Sequence, residues 1–498
     1  MSSTRLNALA LYANFIVLGV IGIAINPLMV RALGIEQFGI WKSCLRLLDL
    51  TTVADGRASQ ALKWIVAHRD HEEDPVERQR DIGAAIVIWM LWIPILFIAV
   101  GSIILFLPNL VSGVPAASLP GARWLSALLG FNIVLGGVLG ISDAALVGTN
   151  QGYRSYVLTT AFLVFSNFAM LLAAWGKFGL IGVGAATVLG SFLNGAITWI
   201  VARRFIKWWG IAFPRRSDVM RVLSFSNWTM VGSLIQSLML STEVLAIGYV
   251  VGPAAVSRYT FTSYISTFVM SMCLMTGSAV TPKLGAMVGR GDSAGAAALQ
   301  DRTREILLAL LTVGATGLIL CNRPFVESWA GKDFYLGDLV NLGVVAVLVQ
   351  LSLIRFDFQI QDIGLRIGPK VVWSGVTSVL ALAIGAGLFR MTGSLPFLFV
   401  GILLGRVPLH LIFPRLVSNV IPGHNRHLGG TIAMLATVAG AFALSQVWHV
   451  EGWLGFAEAA TAALVLGGLA AFRLVLTPGM RRAIGMMALA RFKQRAAQ

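Results

Sequence analysis

Apolar segments of roughly twenty residues recur about fourteen times between Leu6 and Leu476, and short polar stretches separate them. An α-helix rises ~1.5 Å per residue and the hydrocarbon core of a bilayer is ~30 Å thick, so about 20 apolar residues cross it. The pattern predicts an all-α polytopic membrane protein with about 14 transmembrane helices. The predicted spans cover residues 8–30, 38–62, 82–107, 123–147, 155–176, 179–202, 222–250, 256–281, 303–321, 335–356, 369–389, 395–415, 428–448 and 453–476.

Composition supports this interpretation. The chain is 57% hydrophobic and 12% charged, whereas soluble domains average about 25% charged residues. No stretch between the apolar segments is long enough for a globular domain. The first apolar run continues to Val30, which is too long for a signal peptide, so we interpret it as a retained first span.

The distribution of Lys and Arg predicts the orientation. If the N-terminus is cytoplasmic, the cytoplasmic segments hold 24 Lys and Arg residues and the opposite loops hold 7. This bias follows the positive-inside rule and predicts that both termini lie in the cytoplasm. The net charge is +16, but the basic residues are spread over many short loops. Nucleic-acid binding is therefore not expected.

A basic, tryptophan-containing segment at residues 202–216 interrupts the apolar pattern near the middle of the chain. Such a composition is typical of a segment that lies on lipid headgroups. We therefore predict two pseudo-symmetric lobes around a central cavity. The predicted divisions are an N-terminal lobe of six spans (1–202), a cytoplasmic linker (203–221) and a C-terminal part with eight spans and a basic tail (222–498).

A weak internal repeat supports the two-lobe prediction. Residues 33–41 (LGIEQFGIW) and residues 251–259 (VGPAAVSRY) each follow a long span and open the next one. Gly34 aligns with Gly252, and Trp41 aligns with Tyr259. Repeated halves with a site between them are a common plan of membrane transporters.

The second span carries an unusual set of charges, and ionisable residues inside a span usually face a cavity or a partner. On one continuous helix, all of them except Asp55 share a single face with a net positive charge. That face would line a water-filled cavity that binds an anion, or lie in solvent outside the membrane, or hold structural ion pairs such as Arg46 with Asp49. Arginine suits phosphate because its planar fork donates two parallel hydrogen bonds. The charges on this face are Lys42, Arg46, Asp49, Arg57 and Lys63.

Other embedded charges are fewer. Glu243, in the seventh span, is a candidate for cation coupling or for pairing with a base of the second span. Arg406, in the twelfth span, shares a face with His410 and would extend a cationic cavity into the second lobe. Arg355 and Asp357 would pair locally.

Signatures of other functions are absent from the sequence. No phosphate-binding GxxxxGK[ST] loop, HExxH motif, GxSxG elbow or Cys/His cluster occurs. The three cysteines lack metal-ligand spacing. We therefore expect neither an enzyme nor a bound metal or other cofactor.

The first two spans and the end of the eighth resemble polysaccharide-biosynthesis flippases of the multidrug/oligosaccharidyl-lipid/polysaccharide (MOP) exporter superfamily. The resemblance rests on LG-x3-FG-x-W at 33–41 and on TPKLGAMVGRGD at 281–292. It implies two lobes of six helices, the second over 222–415, and two extra C-terminal helices with a basic tail over 416–498. It also implies alternating access around a cationic cavity, in a prokaryotic inner membrane. By analogy with the cationic cavity of that family, the residues expected to bind the substrate are Lys42, Arg46, Arg57, Arg258 and Arg406.

The function implied by the resemblance is movement of a polyprenyl-pyrophosphate-linked oligosaccharide from the inner to the outer leaflet. Its partners would be the lipid-linked glycan, membrane lipids, and a glycan polymerase or other polysaccharide assembly proteins. Three alternatives stay open from the sequence. They are a lipid II flippase, a cation-coupled drug exporter with Asp49 or Glu243 as the coupling site, and a membrane glycan-transferring enzyme.

Overall fold

The structure, a computed structural model, describes residues 3–51, 58–68, 74–364, 367–425, 427–483 and 485–486. These residues form helices and no strand. Thirteen of the helices in this part of the chain are long and apolar enough to cross a membrane. The predicted all-α polytopic fold is therefore confirmed.

The described residues form sixteen α-helices. In chain order they are α1 (Ser3–Leu33), α2 (Ile35–Thr51), α3 (Ala58–His68), α4 (Pro75–Leu110), α5 (Leu119–Gly148), α6 (Gly152–Trp175), α7 (Gly179–Phe205), α8 (Arg216–Val250), α9 (Pro253–Thr262), α10 (Tyr264–Gly289), α11 (Ser293–Trp329), α12 (Asp338–Ile363), α13 (Ile367–Thr392), α14 (Leu395–Ser418), α15 (Leu428–Val447) and α16 (Gly452–Ala470), which continues as a π-helical turn over Ala471–Val475.

The second predicted span, 38–62, is described only in part. Its residues lie on α2 up to Thr51 and on α3 from Ala58, and residues 52–57 lie outside the described residues, so this span stays a prediction. This region is also the most polar of the predicted spans. The eighth predicted span divides into the short α9 and the long α10.

Local sequence signals set several helix starts. The Asp74 carboxylate accepts a hydrogen bond from the Val76 backbone N–H at 2.9 Å, and Pro75 occupies the first helical position of α4. Asp292 caps α11 in the same way, through the Gly295 N–H at 2.9 Å. Both caps satisfy amides that would otherwise lack a partner at the first turn.

The chain forms two compact units, Met1–Ser257 and Arg258–Gln498. In the first unit, α7 packs along α5 and α6, α6 packs along α1, and α8 packs on α2, α3 and α4. In the second unit, α13 packs along α14, α12 packs on α10 and α14, and α15 and α16 both pack on α11. The lobe boundary predicted at 203–221 stays a prediction.

The internal repeat is visible inside the first unit. Gly34 and Gly252 both have a positive φ, 83° and 118°, and each immediately precedes a helix. The two helix starts then contact each other reciprocally. An added Cβ on Gly39 would lie 1.8 Å from the Pro253 carbonyl oxygen, and the Ser257 hydroxyl donates to the Ile35 carbonyl at 2.5 Å.

The two contacts are equivalent in the predicted alignment of the repeat. Ile35 aligns with Pro253 and Gly39 aligns with Ser257, so the Gly39–Pro253 contact corresponds to the Ser257–Ile35 contact. The residues that follow are also equivalent in burial, since the aromatic side chains of Trp41 and Tyr259 are both buried. The repeat is confirmed at this crossing of α2 and α9.

Candidate functional site

The candidate site in the first unit is built on α2. This helix follows α1 through the tight turn at Gly34, so the end of α1 lies against the beginning of α2. The Lys42 ammonium donates to the Asn26 amide oxygen of α1 at 3.3 Å. It also lies 4.2 Å from the ring centroid of Trp41 and 5.0 Å from that of Phe38. Lys42 is thus a half-buried cation held by one amide and two aromatic faces.

Arg46 and Asp49 lie farther along α2 and bind each other. Arg46 Nη1 lies 3.2 Å from Asp49 Oδ2, and the two side chains are 44% and 46% exposed. This geometry confirms the pairing considered from the sequence. The pair is a single contact between exposed groups, so it holds the guanidinium weakly. A ligand with more negative charge than one carboxylate can compete for the remaining Arg46 donors.

The predicted five-charge face is described only in part. Lys42, Arg46 and Asp49 share α2, but Arg57 lies outside the described residues. Lys63 lies on α3, beyond the undescribed residues 52–57, so its angular position relative to Lys42 stays a prediction. The described portion of the face holds two cations and one carboxylate.

The remaining predicted site residues lie elsewhere. Glu243 is buried, at 4% exposure, on α8, a helix that packs against α2 in the same unit. Arg258 is exposed on α9, and Arg406 is completely buried on α14. The structure therefore brings Glu243 onto a helix beside the α2 charges. Arg258 and Arg406 belong to the second unit.

The second unit contains a buried charge network that the sequence did not predict. Arg304 Nη1 of α11 lies 2.7 Å from Asp357 Oδ1 of α12, and both side chains are less than a tenth exposed. The expected local pair between Arg355 and Asp357 is wrong, because residues two apart on one helix do not face each other. His410 of α14 lies within electrostatic range of Arg304 and Asp357.

Two further cations lie close to this pair in sequence and fold. Lys370 at the start of α13 donates to the Asp362 carboxylate and to the Phe358 carbonyl, the latter at 3.3 Å. Its ammonium lies 3.8 Å from the centroid of the Phe358 ring, and the Arg355 guanidinium lies 5.6 Å from the same ring. Arg355 is buried, and its Nε and Nη1 have no hydrogen-bond partner among the described residues.

The sequence did contain a signal for this network. Arg304 and Lys370 were counted as loop charges because the predicted spans began near residues 303 and 369. In the structure α11 begins at Ser293, so Arg304 lies well inside a helix. The alanine-rich run at 294–298 favours that helical extension.

Comparison with known proteins adds a fold assignment. No family model and no curated protein matches the chain. Among solved structures, "Lipid II flippase MurJ, inward closed conformation" is 11% identical with a TM-score of 0.69, covering 94% of this chain and 98% of that chain. An inward-facing multidrug resistance MATE family transporter of the MOP superfamily is 15% identical with a TM-score of 0.56, covering 84% and 96%. An outward-facing MATE structure is 14% identical with a TM-score of 0.54 and the same coverage.

Identities this low show the fold alone. The likeness extends over nearly the whole chain and includes both a flippase and drug transporters. It agrees with the fold that the sequence resemblance implied. The chain has the fold of the transporters of the MOP superfamily.

Proposed function

We propose that this protein is an alternating-access flippase that moves a polyprenyl-pyrophosphate-linked oligosaccharide from the inner to the outer leaflet. The observation that carries the proposal is a pair of cations on α2, the half-buried Lys42 and the almost half-exposed Arg46, in a protein with the fold of membrane transporters. A half-exposed arginine in an otherwise apolar protein is costly unless water or an anion accompanies it.

The chemistry of the substrate explains the cations. A pyrophosphate cannot enter hydrocarbon without losing its hydration, which costs many kcal/mol. Arg46 and Lys42 replace that hydration with charge-assisted hydrogen bonds, and the pyrophosphate displaces Asp49 from Arg46. The polyprenyl tail stays in lipid while the headgroup crosses.

The other predicted residues have roles within this proposal. Arg57 and Arg258 are further candidates for contact with the headgroup or with sugar acids. Arg406 is completely buried in this structure, so it would reach the substrate only in another state of the transport cycle. Asp49 and Glu243 are the candidate ion-coupling groups, because carboxylates inside membrane transporters commonly mark proton or ion pathways. The chain acts as a transporter and not as an enzyme.

Its setting follows from the same proposal. The protein resides in a prokaryotic inner membrane with both termini in the cytoplasm. It contacts membrane lipids and the lipid-linked glycan, and it works beside a glycan polymerase or other polysaccharide assembly proteins.

Two other functions have specific support. Lipid II transport is favoured by the whole-length likeness to the MurJ flippase. Cation-coupled drug export is favoured by the likeness to the MATE transporters together with the buried carboxylate of Glu243. An acidic binding cavity and cation-dependent export would distinguish a drug exporter from a flippase.

The test is translocation in proteoliposomes. A fluorescent polyprenyl-pyrophosphate oligosaccharide is incorporated, and a glycan-modifying enzyme added outside reports which molecules have crossed. We expect crossing with wild-type protein and none with empty liposomes, with lipid II and a panel of cationic dyes tested in parallel. Export of the dyes without glycan movement would overturn the proposal in favour of the drug exporter.

A further inference from the structure

An apolar groove of about 400 Å³ lies in the first unit, beside the charges of α2. Three helices that pack on one another form it, namely α2, α4 and α8. Its lining residues on α4 are Trp92, Ala99 and Ile103, and those on α8 are Met230 and Leu234. Both of these helices are long and apolar enough to cross a membrane, so we expect the groove at membrane depth.

The groove begins one helical turn from Arg46. Leu50 and Thr51, at the end of α2, complete its lining. Leu50 follows Arg46 by four residues, so the two side chains share a face of α2. Side chains on a helix also point back toward its N-terminus, which directs Leu50 over the turn that carries Arg46. The apolar groove therefore adjoins the cation pair.

The described lining side chains offer no accessible nitrogen or oxygen that would hold water. Thr51 is 6% exposed, and its hydroxyl already donates to the Leu48 carbonyl at 2.8 Å. The indole nitrogen of Trp92 is buried away from the surface of the groove. A water molecule in a cavity needs about two to four polar partners. Hydrocarbon is thus the ligand that suits this groove.

The neighbouring cations select which hydrocarbon occupies the groove. A lipid chain gains little by moving from the bilayer into an apolar groove, since the two environments are equally apolar. A chain joined to an anion that binds Arg46 is held beside the groove at a high effective concentration. In a polyprenyl pyrophosphate the chain is bonded directly to the anion, so its first isoprene units lie within reach of Leu50. In a phospholipid, polar ester groups separate the phosphate from the acyl chains, and burying them in the groove is costly.

We propose that this groove binds the isoprene units nearest the pyrophosphate of the transported lipid, while the pyrophosphate binds Arg46 and Lys42. The inference rests on the proposed function and assigns recognition of the isoprenoid carrier to α2, α4 and α8. Leu234, on one wall of the groove, is 41% exposed, so the groove is open on that side. The rest of the polyprenyl chain leaves the groove there and stays in the bilayer.

The test is photocrosslinking of the full-length protein in phosphatidylcholine nanodiscs. The probe is a polyprenyl pyrophosphate with a diazirine on one of the isoprene units nearest the pyrophosphate, and mass spectrometry identifies the labelled peptides. We expect label on α4 at residues 92–103 and on α8 at residues 230–234. Excess unlabelled polyprenyl pyrophosphate should suppress the labelling, and excess phosphatidylglycerol should not. Polyprenol with the same diazirine should label these positions about tenfold less, because it lacks the anion that binds Arg46.

Two phenylalanine variants of α4 test the groove by filling it or leaving it open. Ala99→Phe places a ring in the groove and should lower both the labelling of α8 and glycan translocation about tenfold, since the chain loses its packing contacts. Ser102→Phe is the control, because Ser102 is exposed on the same helix and is not among the lining residues. If Ala99→Phe lowers the melting temperature, Leu234→Asn replaces it. That substitution puts an amide on the exposed wall without adding volume, and it should also lower the labelling.

The outcomes separate the groove from the proposed function. Label spread evenly over the spanning helices, suppression by phosphatidylglycerol, equal labelling by polyprenol, or unchanged labelling in both Ala99→Phe and Leu234→Asn would overturn the groove, even if wild type moves the glycan. Labelling of the groove without glycan movement in proteoliposomes would support the isoprenoid site and overturn the proposed function.

Discussion

The α2 charges of the first unit and the charge network of the second unit use similar residues for different purposes. On α2, Arg46 and Asp49 are almost half exposed and three residues apart on one helix. In the second unit, Arg304 and Asp357 are buried and join α11 to α12. Exposed pairs contribute about 0–1 kcal/mol to stability, but breaking a buried pair costs about 3–5 kcal/mol. The charges that can bind a ligand are thus more exposed than the structural charges. Their ion-pair partner lies on the same helix, whereas the structural charge pairs with a neighbouring helix.

The largest effect on stability is expected for Asp357→Asn. The substitution leaves the buried Arg304 guanidinium without a carboxylate, which should destabilise the protein by about 3–5 kcal/mol. Heating in detergent followed by size-exclusion chromatography would show a lower apparent melting temperature. Asp333→Asn removes an exposed carboxylate and should melt as wild type does. A wild-type melting temperature for Asp357→Asn would mean that the network is not structural.

Arg46→Ala should impair transport more than stability, unlike Asp357→Asn. The variant loses charge-assisted hydrogen bonds to the pyrophosphate that are worth about 1.5–3 kcal/mol, so glycan translocation should fall roughly 10- to 100-fold. Stability should change by less than about 1 kcal/mol, because the lost pair is exposed. Arg46→Lys keeps the charge without the planar fork and should retain part of the transport. Normal transport by Arg46→Ala, or its failure to fold, would remove Arg46 from the site.

Gly39→Ala tests how α2 is positioned. The added Cβ would lie 1.8 Å from the Pro253 carbonyl, so α2 must shift, at a cost of about 1–3 kcal/mol. Transport should fall as well, since Lys42 lies one turn farther along the same helix. The control is Gly136→Ala in α5, where a Cβ meets nothing within 4 Å. Equal melting temperatures for both variants would argue against a tight crossing of α2 and α9.

The smallest effect is expected for Asp49→Asn. If Asp49 only competes with the substrate for Arg46, its removal should leave glycan transport unchanged or slightly faster, with less than about 1 kcal/mol lost in stability. Translocation is measured with and without an imposed proton or sodium gradient. Loss of gradient-driven transport would instead identify Asp49 as an ion-coupling group.

The sequence was sufficient for the fold because apolar length is a direct consequence of bilayer thickness. It was less informative at the eighth span, where local apolarity gave no indication that α9 and α10 are separate helices. The Gly34 and Gly252 repeat was readable because a positive φ before a helix favours glycine. The reciprocal contacts of Gly39 and Ser257, in contrast, depend on helix packing.

The candidate site was predicted in part. Hydropathy identified Lys42, Arg46 and Asp49, and helical spacing gave the Arg46–Asp49 pair. The partner of Asp357 was missed, because a contact between α11 and α12 has no signature in local spacing. Arg304 was also counted among the loop charges, because the charged residues before the apolar run led to a predicted span that began near residue 303.

The measurement that tests the central claim most directly is the preference of the protein for a charged headgroup. Binding of polyprenyl pyrophosphate and of uncharged polyprenol is compared in wild-type protein and Arg46→Gln. The account predicts that wild type prefers the pyrophosphate by about tenfold or more and that Arg46→Gln loses most of this preference. An unchanged preference in Arg46→Gln would contradict the assignment of the anionic headgroup to α2.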